Sequence, residues 1–379
     1  MRHDGEMDVT REQVIRHRIA AQQLDRELDS DRAITDTAVL DLGVQDSGRD
    51  GASWALANRG VPVASPQALA DSDELALVWS LRVSPHYYRR SELAEVMTAI
   101  SPYDDADLVK RLIGAAKPMV DAGISPRDGM AEIARQLRAV VAEPTVKGDA
   151  STALTKQLSA PYLRECRPCQ AIHAWESTFR MAGIFGGLEL EPTTSPPVLR
   201  RIPDWPRRPA GLASDPTAAP EQLQVIRAYL RLLGPATPSE VAGFLDGAAT
   251  TIKQYWPDDA VEVKVEGKKK WLLGDLLESR PVVRLLGPYD LLGQGKDRDL
   301  LVPDAEQRKQ LWPILGRPGP VLAGGEIVGW WRPRAKGKKL DLELELWQPR
   351  AATKAELGEQ AERLAQHRGL QLGSLSSPN

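Results

Sequence analysis

The feature that most constrains this chain is the pattern in residues 237–273. Residues 238–247 begin with Pro-Ser-Glu, typical of a helix start, and end at a glycine, typical of a helix end. Residues 248–256 indicate a second helix. In residues 261–265 valines alternate with charged residues, which indicates a half-buried strand, and residues 267–270 (Gly-Lys-Lys-Lys) form a turn into a returning strand. The order helix, helix, hairpin predicts a winged helix, an element that points towards nucleic acid.

Donor-bearing side chains of this segment are the expected DNA ligands. Hydroxyl and amino groups on the second helix suit the edges of bases in a groove, and lysines at an exposed turn suit the phosphate backbone. The expected contacts are Thr250, Thr251, Lys253, Lys268, Lys269 and Lys270. The alternative is a solvated hairpin on an α/β domain.

Composition is that of a soluble globular protein. The chain has 379 residues, of which 42% are hydrophobic and 27% charged, enough for two or three domains. Its net charge is only −3, so contacts with DNA must come from local clusters of cations. We find no membrane-length apolar run and no leader, and two cysteines suit a reducing compartment. We expect a cytoplasmic protein that is nucleoid-associated when bound to DNA. Without a glycine-rich phosphate loop, no nucleotide or other cofactor is expected.

Helices followed by a hairpin recur along the chain, which predicts an α+β fold of tandem winged-helix units. The predicted units are residues 9–92, 93–192 and 221–280, with a proline-rich linker at 193–220, a C-terminal β-rich barrel or sheet at 281–350, and a helix and tail at 351–379. Within them, residues 34–42 and 169–185 are predicted as helices and residues 373–379 as frayed.

Several segments resemble a known family in their order and spacing. They are residues 42–47 (Leu-Gly-Val-Gln-Asp-Ser), 81–86 (Leu-Arg-Val-Ser-Pro-His), 155–158 with 166–169, 286–290 with 297–298, and 324–331. Over residues 8–349 the chain resembles the AlkZ-type DNA glycosylases and their AlkX-like relatives, a bacterial winged-helix family. The resemblance implies a C-shaped tandem winged-helix fold that hydrolyses the bond between deoxyribose and an N7-alkylated purine. It also implies double-stranded DNA, alkylated or crosslinked, as the partner.

The family's chemistry lies in a Gln-x-Gln or Gln-x-Asp motif, which falls here on Gln45, Asp46 and Ser47. An N7-alkylated base is already cationic, so it leaves without a strong general acid. The protein must then place a water and stabilise an oxocarbenium-like sugar. The resemblance implies that Gln45 holds the water and that Asp46 acts as base or electrostatic stabiliser, while Ser47 departs from the motif. The alternative is that these residues only end a helix and begin a turn.

Four further residues are candidate contacts to DNA or substrate. The family has an Arg-x-Thr-x-His pattern near its catalytic face, which corresponds here to Arg82, Ser84 and His86. Arg82 is the better phosphate ligand of the three. Arg180, on a predicted helix, is also expected to face DNA.

Cys166, Cys169 and His173 have the spacing of metal ligands. A closed zinc site needs four ligands, and the sequence offers no fourth residue nearby. The expectation is therefore no metal, with cysteines that are structural.

Two functions stay open. One is a DNA glycosylase of the family described, and the other is a non-catalytic winged-helix DNA-binding protein such as a transcriptional regulator. Both predict duplex affinity that falls steeply with salt, but only the enzyme produces abasic sites. A protein-interaction scaffold is a third possibility, and it predicts no salt-sensitive binding to a duplex.

Overall fold

Helices and strands occur in groups along the chain, as the predicted α+β class requires. The computed structural model describes residues 7–206 and 211–377. The α-helices are α1 (Arg11–Ala21), α2 (Gly51–Ala57), α3 (Pro66–Ala70), α4 (Leu93–Ile100), α5 (Asp105–Arg111), α6 (Ala116–Asp121), α7 (Pro126–Val140), α8 (Lys147–Gln157), α9 (Glu176–Phe185), α10 (Val225–Leu233), α11 (Pro238–Leu245), α12 (Ala249–Gln254), α13 (Arg298–Leu301), α14 (Ala305–Leu311) and α15 (Lys354–His367). The strands are β1 (Met7–Val9), β2 (Val44–Gln45), β3 (Leu75–Trp79), β4 (Pro85–Arg89), β5 (Thr145–Val146), β6 (Leu163–Cys166), β7 (Ala171–Ala174), β8 (Leu188–Leu190), β9 (Val198–Arg201), β10 (Val261–Val265), β11 (Lys268–Leu272), β12 (Val283–Leu285), β13 (Gly319–Ala323), β14 (Glu326–Lys336), β15 (Lys339–Leu346) and β16 (Gln371–Ser376).

A six-stranded sheet in the order β2-β4-β3-β8-β9-β5 forms the first half of the molecule. All five residues of β3 are buried, because each is apolar and helix α9 covers the strand. The sheet joins strands from residues 9–92 with strands from residues 93–192, so the first two predicted units share one sheet. Its edge strand β2 pairs with β4, and Gln45 lies opposite His86.

A smaller sheet joins the N-terminus to the hairpin that the lysines mark. Strand β1 runs parallel to β10, which pairs in turn with β11. Val14 and Ile19 of α1 share a buried core with Val263 and Val265 of the hairpin. The start of the first predicted unit therefore packs on the third, because β10 has an open edge and an apolar face that both need a partner.

The helix-helix-hairpin order predicted for residues 237–273 is present. Helix α11 begins with a capping box, in which the Thr237 side chain accepts from the Glu240 N–H and the Glu240 side chain accepts from the Thr237 N–H. The left-handed residue that ends the helix is Asp246, with φ 54°, and not the neighbouring glycine. Helix α12 and the β10–β11 hairpin follow.

The C-terminal β-rich region is an open sheet in the order β12-β13-β14-β15-β16 and not a closed barrel. Helix α15 covers one face of it with the apolar side chains of Leu357, Ala361 and Leu364. Residues 373–376, part of the end predicted as frayed (373–379), belong to β16, which gains hydrogen bonds by pairing in parallel with β15.

Three other predictions of secondary structure are wrong. Residues 34–42 contain only a short 3-10 helix, Ala38–Asp41, because the Arg89 guanidinium takes the carbonyls of Thr35 and Thr37. Residues 169–185 are not one helix, since β7 pairs with β6 before α9 begins. The predicted linker at 193–220 carries β9, which extends the six-stranded sheet.

Among residues 7–206 and 211–377, no helix combines the length and the apolar character needed to cross a membrane.

Candidate functional site

The first and third residues of the predicted motif lie together at the edge of the six-stranded sheet. Gln45 Nε2 donates a hydrogen bond of 2.8 Å to Ser47 Oγ. Gln45 Oε1 accepts one of 3.1 Å from Arg82 Nη2. Gln45 ends β2 and Ser47 lies two residues beyond it, so the hydrogen bond joins the strand to the segment that follows. The Gln45 amide is thereby held at both ends.

Arg82 connects this pair to a distant part of the chain. Besides Gln45, its guanidinium donates to Gln294 Oε1 and, at 3.2 Å, to the Phe244 carbonyl, and it lies 4.3 Å from the centre of the Phe244 ring. The planar fork of arginine allows these bonds at once. Burial lowers the pKa of Arg82, but an arginine so placed stays protonated.

The backbone at Arg82 is strained. Arg82 and Val83 have φ of 54° and 51°, in the left-handed region of the backbone map. Residues other than glycine rarely adopt this region, and β-branched residues such as valine adopt it least. Arg180 Nη1 donates to the Val83 carbonyl at 3.3 Å, which helps to hold the turn. Strained turns of this kind concentrate at functional sites because the surrounding structure must stabilise them.

Asp46 lies on the other side of the strand. Its Oδ1 accepts a 3.3 Å hydrogen bond from the Ala52 N–H, and it lines a cleft of about 660 Å³. Burial raises the pKa of Asp46, an effect that the Ala52 bond partly offsets. Because its neighbours in sequence face away from this cleft, Asp46 does not join Gln45 and Ser47 in one constellation. The expectation of a shared three-residue site is corrected on this point.

Other charged or titratable side chains join Asp46 on this cleft, among them Arg180, His367 and Arg368. Arg180, over the Trp79 ring at 5.5 Å, pairs with Glu176 at 2.5 Å. His367 and Arg368, from the end of α15, also line the cleft, and Arg368 forms an ion pair of 2.7 Å with Asp50. The sequence analysis identified Arg180 but not His367 and Arg368. These two residues lie more than 300 positions beyond the motif, and Arg368 contacts Asp50 across 318 positions of the chain.

His86 does not reach the surface. It is 2% exposed, and its Nδ1 lies 3.0 Å from Ser80 Oγ and 2.9 Å from the Ser84 carbonyl. Burial, and then the charge of Arg82, lowers the pKa of His86 to about 3, so it is neutral. The prediction of a DNA contact is corrected for this residue: it supports the strand that carries Gln45. Ser84 is half-buried, and its Oγ donates to the Arg82 carbonyl at 3.4 Å.

The three lysines of the hairpin have different environments. Lys268 and Lys269 have side chains 73% and 56% exposed. Lys270 is buried, and its Nζ lies 2.7 Å from Asp297 and 2.8 Å from Glu240. Lys269 faces the opposite side of the strand, and Lys268, on the same side as Lys270, lies at the turn and is exposed. Asp297 also accepts two hydrogen bonds from the buried Arg18. Lys270 is therefore an internal cation, which corrects its predicted role as a phosphate ligand.

Helix α12 shows a similar division. Thr250 and Lys253 are exposed, as side chains of a DNA-recognition helix must be. Thr251 is buried, and its hydroxyl donates to Asp104 Oδ2 at 2.8 Å, which fixes the helix against α5. Thr251 is thus a packing residue and not a ligand of DNA.

Sequence reasoning missed two residues that hold the Arg82 side chain, Phe244 and Gln294. Phe244 is an apolar residue of the helix predicted at residues 238–247, and nothing in the local pattern indicates a contact with Arg82. Gln294 follows a segment, residues 286–290, that carried the family resemblance, but nothing in its local pattern marks it.

The comparisons with known proteins identify the family and the fold of this chain. The model of the family described as DNA glycosylase AlkZ-like matches residues 39–367. The chain belongs to this family of DNA glycosylases, whose substrate is DNA.

Among solved structures, the DNA glycosylase AlkZ of Streptomyces sahachiroi is similar, with a TM-score of 0.73 and 20% identity over 98% of this chain and 100% of that one. This likeness shows a shared fold. No curated protein matches the sequence.

Proposed function

We propose that this protein is a monofunctional DNA glycosylase that hydrolyses the N-glycosidic bond of N7-alkylated purines in duplex DNA. The observation that carries the proposal is the paired arrangement of Gln45 and Ser47, held by Arg82 at a half-buried edge of the six-stranded sheet in a chain of the AlkZ-like family. The tandem winged-helix division of the chain and its C-shape belong to the same proposal.

The chemistry asked of this pair is modest. Alkylation at N7 gives the purine a positive charge, so the base departs as a neutral leaving group and the sugar takes on oxocarbenium character. The Gln45 carbonyl oxygen has a second lone pair beyond the one that Arg82 uses, and Ser47 Oγ, which accepts from Gln45, also has a second lone pair. A water held by these two oxygens attacks C1′ and then loses its proton to solvent.

Positioning supplies most of the catalysis in this scheme. A misplacement of about 1 Å costs roughly 100-fold in rate, and the Gln45 amide is held by one bond at each end. Arg82 acts as a positioning residue because it orients Gln45 without touching the reacting atoms. Asp46 lies across the strand and takes no part as base.

DNA contact is proposed for the exposed cations. Lys268 and Lys269 at the hairpin tip, with Thr250 and Lys253 on α12, lie on one helix-helix-hairpin element and suit a phosphate backbone. Arg180 lines the cleft beside Asp46 and is a further candidate contact.

The test is release of abasic sites from a duplex that contains 7-methylguanine, under single-turnover conditions. We expect Gln45→Ala to slow the reaction about 100-fold. Gln222→Ala, which changes an exposed glutamine outside the site, is the matched control and should react like the wild type. Ser47→Gln restores the family's Gln-x-Gln motif and should speed the reaction.

Ser47 also favours a second candidate, a non-catalytic DNA-binding protein such as a regulator, because a hydroxyl replaces the second long side chain of the motif. In that case the wild type binds the duplex in a salt-dependent way but yields no abasic sites. Equal rates for wild type and Gln45→Ala would remove Gln45 from the mechanism.

A further inference from the structure

Two cysteines and a histidine meet on the hairpin of β6 and β7. Their ligand atoms, from Cys166, Cys169 and His173, all lie within 4.8 Å of one another. Cys166 ends β6, His173 lies on β7, and the turn between the strands returns Cys169 towards Cys166. The cysteines are not joined by a disulfide. Nothing in the proposed glycosylase chemistry uses this cluster.

We propose that these three side chains bind one Zn²⁺ ion. Two thiolates and one imidazole are the donor set that zinc prefers, and a Cys-x-x-Cys turn followed by histidine is typical of hairpin zinc sites. The sequence alone argued against a metal because a fourth ligand was missing. The structure changes this conclusion, since it brings the three available ligands together at one end of one element.

Neighbouring groups already suit a metal. His173 Nδ1 lies 2.6 Å from the Ala174 carbonyl, so it is the protonated nitrogen, and Nε2 keeps the lone pair that a metal needs. Arg164 Nη2 lies 3.6 Å from Cys166 Sγ and can donate to a thiolate there. Both contacts would orient ligands in the way that outer partners do at zinc sites.

Within residues 7–206 and 211–377, the cluster supplies three ligands. Water therefore completes the tetrahedron, on the side where Cys169 is exposed. A site with three protein ligands binds its ion less tightly than a closed site, so we expect a strong chelator to remove the zinc from the folded protein.

The ion would act as a staple for this hairpin. A two-stranded hairpin is marginally stable by itself, and Ile172 of this one is 62% exposed. Helix α9 begins directly after β7, and its first turn carries Glu176, which pairs with Lys147 and Arg180. The proposed zinc thus fixes the start of the helix that places Arg180 in the cleft.

The experiment is elemental analysis of the full-length protein, purified under reducing conditions without affinity metals. We expect one zinc per chain in the wild type and in Arg167→Ala, a control that changes an exposed residue between the two cysteines. Cys169→Ser and His173→Gln should each lose the zinc. Both positions lie on a surface hairpin, and circular dichroism would verify that the variants stay folded.

X-ray absorption at the zinc edge gives an independent readout. We expect about two sulfur neighbours at about 2.3 Å and lighter atoms at about 2.0–2.1 Å. Wild-type protein without zinc even after zinc is added would overturn the proposal. So would zinc content that does not change in the Cys169 and His173 variants, or a Cys166–Cys169 disulfide found by mass spectrometry in the protein as purified.

Discussion

Mutation of Lys270 should reduce the stability of the protein, whereas mutation of Lys269 should reduce its affinity for DNA. Lys270 contributes to a buried set of charges in which Arg18 and Lys270 balance Asp297 and Glu240. Lys270→Met leaves this set with one uncompensated negative charge. Lys269→Ala removes an exposed ion pair with Glu262 and a contact of 5.1 Å between the Lys269 ammonium and the Trp271 ring.

Structure sets the size of each effect. Removal of one partner from a buried ion pair costs about 3–5 kcal/mol. Because Arg18 still donates to both oxygens of Asp297, at 3.0 and 2.7 Å, we expect about 3 kcal/mol for Lys270→Met, at the lower end of that range. Exposed pairs contribute about 0–1 kcal/mol, so Lys269→Ala should have little effect on stability. Adding Glu240→Gln to Lys270→Met returns the set to neutrality, keeps the helix cap and should recover part of the loss.

Urea unfolding measures the free energy of unfolding of each variant. Fluorescence polarisation of a labelled duplex over a range of salt concentrations measures its affinity for DNA. Lys269→Ala should reduce the slope of log affinity against log salt by about 1, as loss of one phosphate contact requires. Lys270→Met should leave that slope unchanged. A variant of Lys270 that is as stable as the wild type but has a reduced slope would refute the reasoning.

Two further predictions concern the supports of the candidate site. Arg82→Lys loses the guanidinium group that donates to Gln45, Gln294 and the Phe244 carbonyl at the same time. We therefore expect at least about tenfold slower release of abasic sites with unchanged duplex affinity. Equal rates for the variant and the wild type would contradict this role of Arg82. His86 has its pKa lowered to about 3 in the folded state, below the unfolded value of about 6.5, so its contribution to stability is complete above pH 6.5 and is lost as pH falls below it. Between pH 7 and pH 5 we expect its share of the loss to be about 2 kcal/mol, and the same unfolding measurement on His86→Gln should show a correspondingly smaller change with pH.

The local sequence pattern was sufficient to predict the elements that depend on contacts between residues close together in the chain. The Pro-Ser-Glu start at residues 238–240 and the alternation in residues 261–265 predicted α11 and the hairpin correctly. The helix predicted at residues 34–42 is wrong because a distant contact overrides the local pattern. The apolar spacing of this segment suits a helix, but Arg89, about fifty positions away, binds two of the carbonyls that a helix would use.

Candidate site residues follow the same division. Gln45, Ser47 and Arg82 were identified from their motifs, and the structure brings them into one hydrogen-bonded group. Asp46 was expected beside them, but a strand directs neighbouring side chains to opposite sides, and the register that decides this is a property of the sheet. Gln294 completes the support of Arg82 only because the fold brings together residues 212 positions apart.

The sequence by itself determined the α+β class, the hairpin with its lysines, the family resemblance and the residue types that carry the chemistry, because these depend on short-range periodicity and on order along the chain. Only the tertiary structure decided that Lys270 and His86 are internal, that Asp46 faces a different cleft, and that three metal-type ligands converge on one hairpin. Burial and convergence depend on which elements pack against which, and such long-range contacts leave no mark on the local pattern.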